Sequence, residues 1–262
     1  MFGLALASLW NRRTIAALTI LSIAFSVALV LSVEKLRRDA RLSFANTVSG
    51  VDLIVGARSG SVQLLLYSVF RIGNATNNIS WKSYQALKKD RRIAWSVPFS
   101  LGDSHKGYRV LGTVPDYFEY IRYGPKRALA FSKGKVFAQD FEAVLGAAAA
   151  EQLGYSLGQA IILSHGAGEV SFVEHGDKPF TVVGILARTG TPIDRTVHVS
   201  LEGIEAIHDG WKDGSPSPKR VSLTQPKASQ NPAAITAFLV GLKSRIAVFG
   251  VQRKVNEYRQ EP

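Results

Sequence analysis

The 262-residue chain contains no cysteine. That absence excludes disulfides, thiolate nucleophiles and cysteine-ligated metals; it suits either redox compartment and mildly favours one where a lone thiol is a liability. Metal-ligand spacing is missing as well. The five histidines, His105, His165, His175, His198 and His208, show no HExxH or similar pattern, so a zinc site has nothing to build on. His198 falls in a strand pattern and His208 near a helix end, where surface or satisfied polar roles are expected. There is no GxxxxGK[ST], hence no P-loop for ATP, and no GxSxG nucleophile elbow. GARSGS at 56–61 has the glycines of a phosphate cradle without the lysine that leads a helix, and reads as a turn. TGTP at 189–192 is also a turn, with Asp194 and Arg195 beside it placed for a local ion pair. No acid–base pair stands out. No catalytic, cofactor-binding or metal-ligating residue is therefore assigned, and no cofactor is expected.

Acidic residues are also scarce: 20 against 32 lysines and arginines give a net charge of +12. The cations are spread along the chain without RNA- or DNA-binding motifs, so no nucleic-acid partner is expected. Anionic lipid head groups are the simpler partner, because of what residues 14–33 contain. TIAALTILSIAFSVALVLSV is twenty positions without a charge, and such a helix spans roughly 30 Å, the hydrocarbon thickness of a bilayer. Its polar members, Thr14, Thr19, Ser22, Ser26 and Ser32, can bond back to carbonyls of their own helix. Arg12 and Arg13 close one end; Glu34, Lys35, Arg37 and Arg38 close the other. A cleaved secretory signal has a shorter apolar core of about 7–15 residues and a small-residue cleavage site, whereas Ser32 and Val33 run straight into Glu34. The segment reads as an uncleaved membrane span. Charge does not orient it: Lys35, Arg37, Arg38 and Arg41 outnumber Arg12 and Arg13, but a long trailing domain weakens the positive-inside rule. Before the span, Phe2, Leu6, Leu9 and Trp10 share one face, as in a helix lying among head groups.

The roughly 230 residues after the span suffice for one large or two small domains with a real core. Leu36, Ala40 and Phe44 continue a helical stripe through 34–48, so the span runs on as a stalk that Gly50 ends. Residues 51–57 read as a buried strand and 61–70 as a short helix. Ser80 caps a helix over 81–90 that puts Trp81, Tyr84 and Leu87 on one face. Strands at 93–101 and 108–113 complete a split βαβ layer, which a strand at 235–242 is placed to rejoin. From Pro115 the texture changes. A turn or two of helix at 115–121 precedes a strand at 141–146 and a helix at 147–153 with Gly154 as its C-cap. Strands at 159–164, 170–174, 180–186 and 196–200 suggest a small β-rich subdomain, and 201–209 is a helix capped by Ser200. A Pro/Ser/Gly loop covers 210–221. Over 244–259, Val248, Val251, Val255 and Tyr258 restore helical spacing, in a basic amphipathic helix directed back toward the membrane.

Behind the N-terminal span come, in order, VEKLRRDARLSF, SGVDLIVGARSGSVQLLLYSVF, YRVLGT, FEAVLGAAAAEQLGYSLGQAI, FTVVGILARTGTPIDRTVHVSLEGIEAIH and GLKSRIAVFGVQRKVNEY. This set resembles the MacB/FtsX-type permease family of ABC transporters, in particular its lipoprotein-release-like and attachment-type branch. VVGIL or GYSLGQ alone is weakly specific; the ordered set with TGTPIDRTVHVS is strong. The resemblance runs over residues 1–262. It implies an α+β fold class: one N-terminal transmembrane helix, then an extracytoplasmic core domain with a porter-like α/β layer and a β-rich sabre-like insertion. In that frame residues 1–13 are a cytoplasmic interfacial helix, 14–33 the transmembrane helix and 34–49 the stalk helix. Residues 50–114 with 219–243 form the porter-like subdomain, 115–218 the sabre-like one, and 244–262 a helix returning to the membrane.

The resemblance also orients the span, with the N-terminus cytoplasmic and the bulk of the chain periplasmic, in the cell inner (cytoplasmic) membrane. It implies a cytoplasmic ABC ATPase subunit, a second permease copy in a dimer and the lipid bilayer as partners, and it allows a periplasmic adaptor or substrate protein. Family members carry three further spans that this sequence lacks, so it reads as a fragment or a truncated product. The expected function is that of a non-catalytic permease subunit, coupling ATP hydrolysis by a partner to movement of a periplasmic domain for export or lipoprotein-release-like work. A membrane-anchored binding or adaptor protein without transport activity is the alternative from another class, and an enzyme ranks third. The substrate is not legible, because surfaces of a dimer and its partners carry it.

Overall fold

The computed structural model describes residues 10–166, 178–208, 211–212, 215–216 and 232–259. It divides after Ala45 into two compact units. The first is dominated by α1 (Arg13–Thr47), 35 residues long and so about 50 Å in length. Its apolar side chains are exposed: Leu21 and Phe25 each show 70 % of their surface. The expected back-bonding of hydroxyls is present, Thr19 to Ile15 O and Ser26 to Ser22 O at 2.9 Å, Ser32 to Ala28 O at 2.7 Å. Stretch and stalk are thus one continuous helix. Of the expected interfacial helix over 1–13, Phe2, Leu6 and Leu9 lie outside the described residues, and Trp10 is exposed.

The second unit is α+β, built on one ten-stranded sheet. Its longer strands are β1 (Leu53–Gly56), β2 (Ile93–His105), β3 (Tyr108–Thr113), β4 (Phe131–Gly134), β5 (Glu142–Leu145), β6 (Phe180–Leu186), β7 (Thr196–Ser200) and β8 (Ala237–Leu242). They lie in the order β1-β8-β2-β3-β7-β5-β6-β4. Only β3–β7 and β5–β6 are parallel among these neighbours; the rest pair antiparallel. β8 sits between β1 and β2 and is antiparallel to both, which makes β1 and β2 the parallel strands of the split βαβ layer that the sequence suggests.

Between the strands run α2 (Ser61–Val69), α3 (Trp81–Lys88), α4 (Asp116–Tyr120), α5 (Ala147–Leu153), α6 (Leu201–His208) and α7 (Ala247–Glu257). Their ends follow local rules. Ser80 Oγ accepts from Ser83 N at 3.2 Å, capping α3, and Ser200 Oγ accepts from Gly203 N at 2.9 Å at the start of α6. Gly154 ends α5 in the left-handed region, at φ 68°, where a side chain is costly. Strand alternation then builds cores on both faces. Val110, Ala143, Leu145, Val197 and Val199 face α5 and α6, while Leu111 and Val144 face the layer containing Tyr67, Tyr117 and Phe118. At the β1–β8 end, Val55, Phe238 and Val240 pack with Tyr84 and Leu87 of α3.

Three expectations change in detail. The single strand at 159–164 is two short pieces: 160–161 pairs with β6 and 164–165 with β2, so the segment serves two neighbours. The strand at 235–242 divides at Thr236: Ile235 pairs with Ile79, whereas Ala237–Leu242 pairs with β1 and β2, and Thr236 Oγ1 accepts from Leu101 N at 3.0 Å. The last helix begins at Ala247, because a turn from Ser244 O to Ala247 N occupies the preceding residues. The strand expected at 170–174 and most of the loop at 210–221 lie outside the described residues.

Candidate functional site

The first and last long strands of the second unit are neighbours in the sheet. β1 follows α1, β8 leads into α7, and the two pair with Leu53 against Val240 and Gly56 against Ala237. The start of β1 and the end of β8 therefore lie side by side. Asp52 locks this end: its amide donates to Val240 O at 2.9 Å and its carboxylate accepts from Leu242 N at 2.7 Å.

Beyond β8, α7 is held against the sheet. Val251 is buried, and Val255 and Tyr258 pack into the same cluster as Val55 and Leu87. A polar clamp closes over this apolar seam. Asp90, in the turn after α3, accepts from Arg92 Nε at 2.9 Å, Arg92 Nη2 at 2.7 Å and Lys254 Nζ of α7 at 2.9 Å. Hydrogen bonds from Arg92, and then from Lys254, outweigh burial and hold the Asp90 carboxyl well below the usual carboxylate range. Arg92 Nη1 sits 2.4 Å from where a Cβ on Gly250 would lie, so the guanidinium rests against a bare stretch of helix. Arg58 reaches from the end of β1 to the carbonyls of Asn256 at 3.3 Å and Tyr258 at 3.4 Å, satisfying acceptors left over at the helix end. The Asp90 carboxylate pairs here with both an ammonium and a guanidinium, so each of the three groups is engaged. The junction joins elements; it presents no free acid or base.

The histidines are scattered in role. His105 bonds Ile162 O at 2.7 Å and Tyr155 Oη at 2.9 Å. His208 Nε2 lies 3.5 Å from Asp103 Oδ1; burial lowers its pKa, but the bond and charge of Asp103, with Glu205, outweigh that and leave it raised. His198 is fully buried, between Tyr117 and Phe118. Its Nδ1 lies 3.2 Å from Val144 O, and because a carbonyl only accepts, Nδ1 carries the proton. Its Nε2 has no hydrogen-bond partner among the described residues, so the satisfied role expected of this histidine holds for one nitrogen alone. Burial, and then the nearby Arg71 charge, push its pKa down to about 3. His165 Nδ1 and Nε2 and the whole of His175 lie outside the described residues.

The two glycine-bearing turns also resolve. GARSGS runs from β1 into α2 with Gly60 at the N-cap, and Arg58 within it turns to α7. TGTP closes on Asp194, whose carboxylate accepts from Thr189 N and Thr189 Oγ1 at 2.8 Å and from Gly190 N at 2.7 Å. This corrects the expected Asp194–Arg195 ion pair. Backbone and hydroxyl donors already fill the carboxylate, and Arg195 lies instead over the Tyr108 ring at 5.1 Å and donates to Gln152. The clamp residues were not legible, since Lys254 and Asp90 are 164 positions apart and Arg58 and Asn256 are 198 apart. The one sequence signal was the helical spacing of Val251 and Val255.

The profile of one family, the MacB-like periplasmic core domain, matches residues 16–257, taking in both α1 and the sheet. The chain belongs to this family. Membership makes the MacB-like chain a component of an ABC transporter permease, a family whose members are generally non-enzymatic. Among solved structures, it is similar to the extracellular domain of the noncanonical ABC-type transporter YknZ from Gram-positive bacteria, at 14 % identity over 69 % of this chain and 83 % of that one, with a TM-score of 0.42. The periplasmic region of MacB from Actinobacillus actinomycetemcomitans is similar at 13 % identity over 81 % of this chain and 87 % of that one, with a TM-score of 0.48. No curated protein matches the sequence.

Proposed function

We propose that the MacB-like chain is the anchored extracytoplasmic part of an ABC permease of the cytoplasmic (inner) membrane, and that it transmits movement while a partner ATPase supplies the energy. α1 is the span and stalk, with residues N-terminal to it cytoplasmic and the sheet unit outside. The observation that carries this reading is the pairing of β1 with β8. A displacement arriving through α1 at β1 passes across a hydrogen-bonded ladder to β8, and the Asp90 clamp ties α7 to the same edge. The porter-like part, residues 50–114 with 219–243, contributes β1, β8, β2 and β3; the sabre-like part, 115–218, contributes β7, β5, β6 and β4. That division runs between β3 and β7, a parallel pair. Assembly is as a dimer with a second permease copy, in export or lipoprotein-release-like work, with an adaptor or substrate protein engaged outside.

Two measurements test this. The natural absence of cysteine makes Arg127→Cys a clean topology probe: an impermeant maleimide should label it in intact cells from which the outer membrane has been stripped. Labelling only after lysis overturns the orientation. Purified chain should hydrolyse no ATP, and any ATPase activity in a preparation should trace to a separate P-loop subunit; transport that persists without any ATPase partner overturns the coupling.

A further inference from the structure

We propose that the outer face of α7 is a docking surface for the anionic head groups of a phospholipid bilayer. Ile246 is 87 % exposed and Phe249 79 % exposed, although the opposite side of the helix is seated in the core through Val251 and Val255. Ile246 lies three residues before Phe249 and Arg253 four after it, so the three share one face, the one turned away from β1. The charge around them is predominantly positive. Lys243, Arg245, Arg253 and Arg259 are exposed, and Glu257, bonded to Arg253 at 2.9 Å, is the single acidic residue between 243 and 259. Lys254 is already engaged by Asp90. An aromatic and a branched aliphatic side chain fringed by cations is the pattern of a helix lying in the head-group region. Four exposed cations against the one carboxylate of Glu257 complement an anionic head-group surface.

This inference rests on the reading of the chain as membrane-anchored, and the two can fail separately. The full 262-residue chain with Phe249→Cys, labelled with an environment-sensitive nitrobenzoxadiazole, would be reconstituted in vesicles of phosphatidylcholine alone or with phosphatidylglycerol at about three to one. Lys135→Cys serves as a water-facing control. The F249C probe should brighten about twofold and shift to the blue in the anionic vesicles, as a head-group-seated probe does, while K135C stays unchanged. The gain should vanish at roughly 1 M salt, where the Debye length falls to about 3 Å, and in a chain also carrying R245E and R253E. Equal emission in neutral and anionic vesicles overturns the proposal. So does brightening that grows with the protein-to-lipid ratio, since that reports a second copy covering Phe249. In either case, resistance of the chain to carbonate extraction leaves α1 standing as the anchor.

Discussion

Lys254 of α7 places its ammonium 2.9 Å from Asp90 Oδ2, the same oxygen that takes Arg92 Nη2 at 2.7 Å. One nearly buried carboxylate thus ties α7 to the turn after α3, beside the apolar seam of Val251, Val255 and Tyr258. Asp90→Asn should raise amide exchange in α7 on the order of tenfold, the scale of one lost charge-assisted hydrogen bond, while β3 and β7 keep their protection. Unchanged α7 exchange would show that Val251 and Val255 hold the helix unaided.

The same carboxylate predicts an acid limb. Its folded pKa lies below the unfolded value of about 3.9, so its contribution is present above that pH and is lost as pH falls below it. D90N should flatten that part of a stability–pH curve, measured by urea midpoint. An unaltered curve would assign acid sensitivity elsewhere.

His198 predicts a second, earlier loss on acidification. It is neutral when folded, with a pKa of about 3, against about 6.5 unfolded. Stability is full above pH 6.5 by this group and declines as pH falls from about 6.5 toward 3, because only the unfolded chain takes up the proton. In NMR, the His198 ring signals should show no titration between pH 7 and 5. A midpoint near 6 would mean that the ring is hydrated.

His208 acts in the opposite sense. Its folded pKa is raised by Asp103, so its contribution is complete below the unfolded pKa of about 6.5 and is lost as pH rises through the folded value. Asp103→Asn should remove this alkaline step and return the His208 titration toward the ordinary range. Persistence of the raised titration in D103N would shift the credit to Glu205.

The stalk can be tested by a kink. Ala40→Pro removes an i→i−4 bond within α1 and costs about 3 kcal/mol locally. Transport by the assembled permease should fail while near-ultraviolet circular dichroism of the sheet unit is unchanged. Normal transport would make α1 a tether only.

That residues 14–33 form one exposed apolar helix of bilayer length was legible from composition alone, and Ser26 and Ser32 meet their partners within about one helical turn. The same locality explains why the caps at Ser80, Ser200 and Gly154 and the strands at 180–186 and 196–200 were readable, since each depends on neighbours a few positions away. The turn at Asp194 misled for the opposite reason. Adjacency to Arg195 suggested an ion pair, yet three closer donors at Thr189 and Gly190 had the better geometry. Tertiary structure alone placed β8 between β1 and β2, brought Asp90 to Lys254, and buried His198 among aromatic rings with one nitrogen unmet among the described residues. Each of these is a pairing across a long stretch of chain, and periodicity, which records only which face of an element is apolar, carries no information about which distant face will cover it.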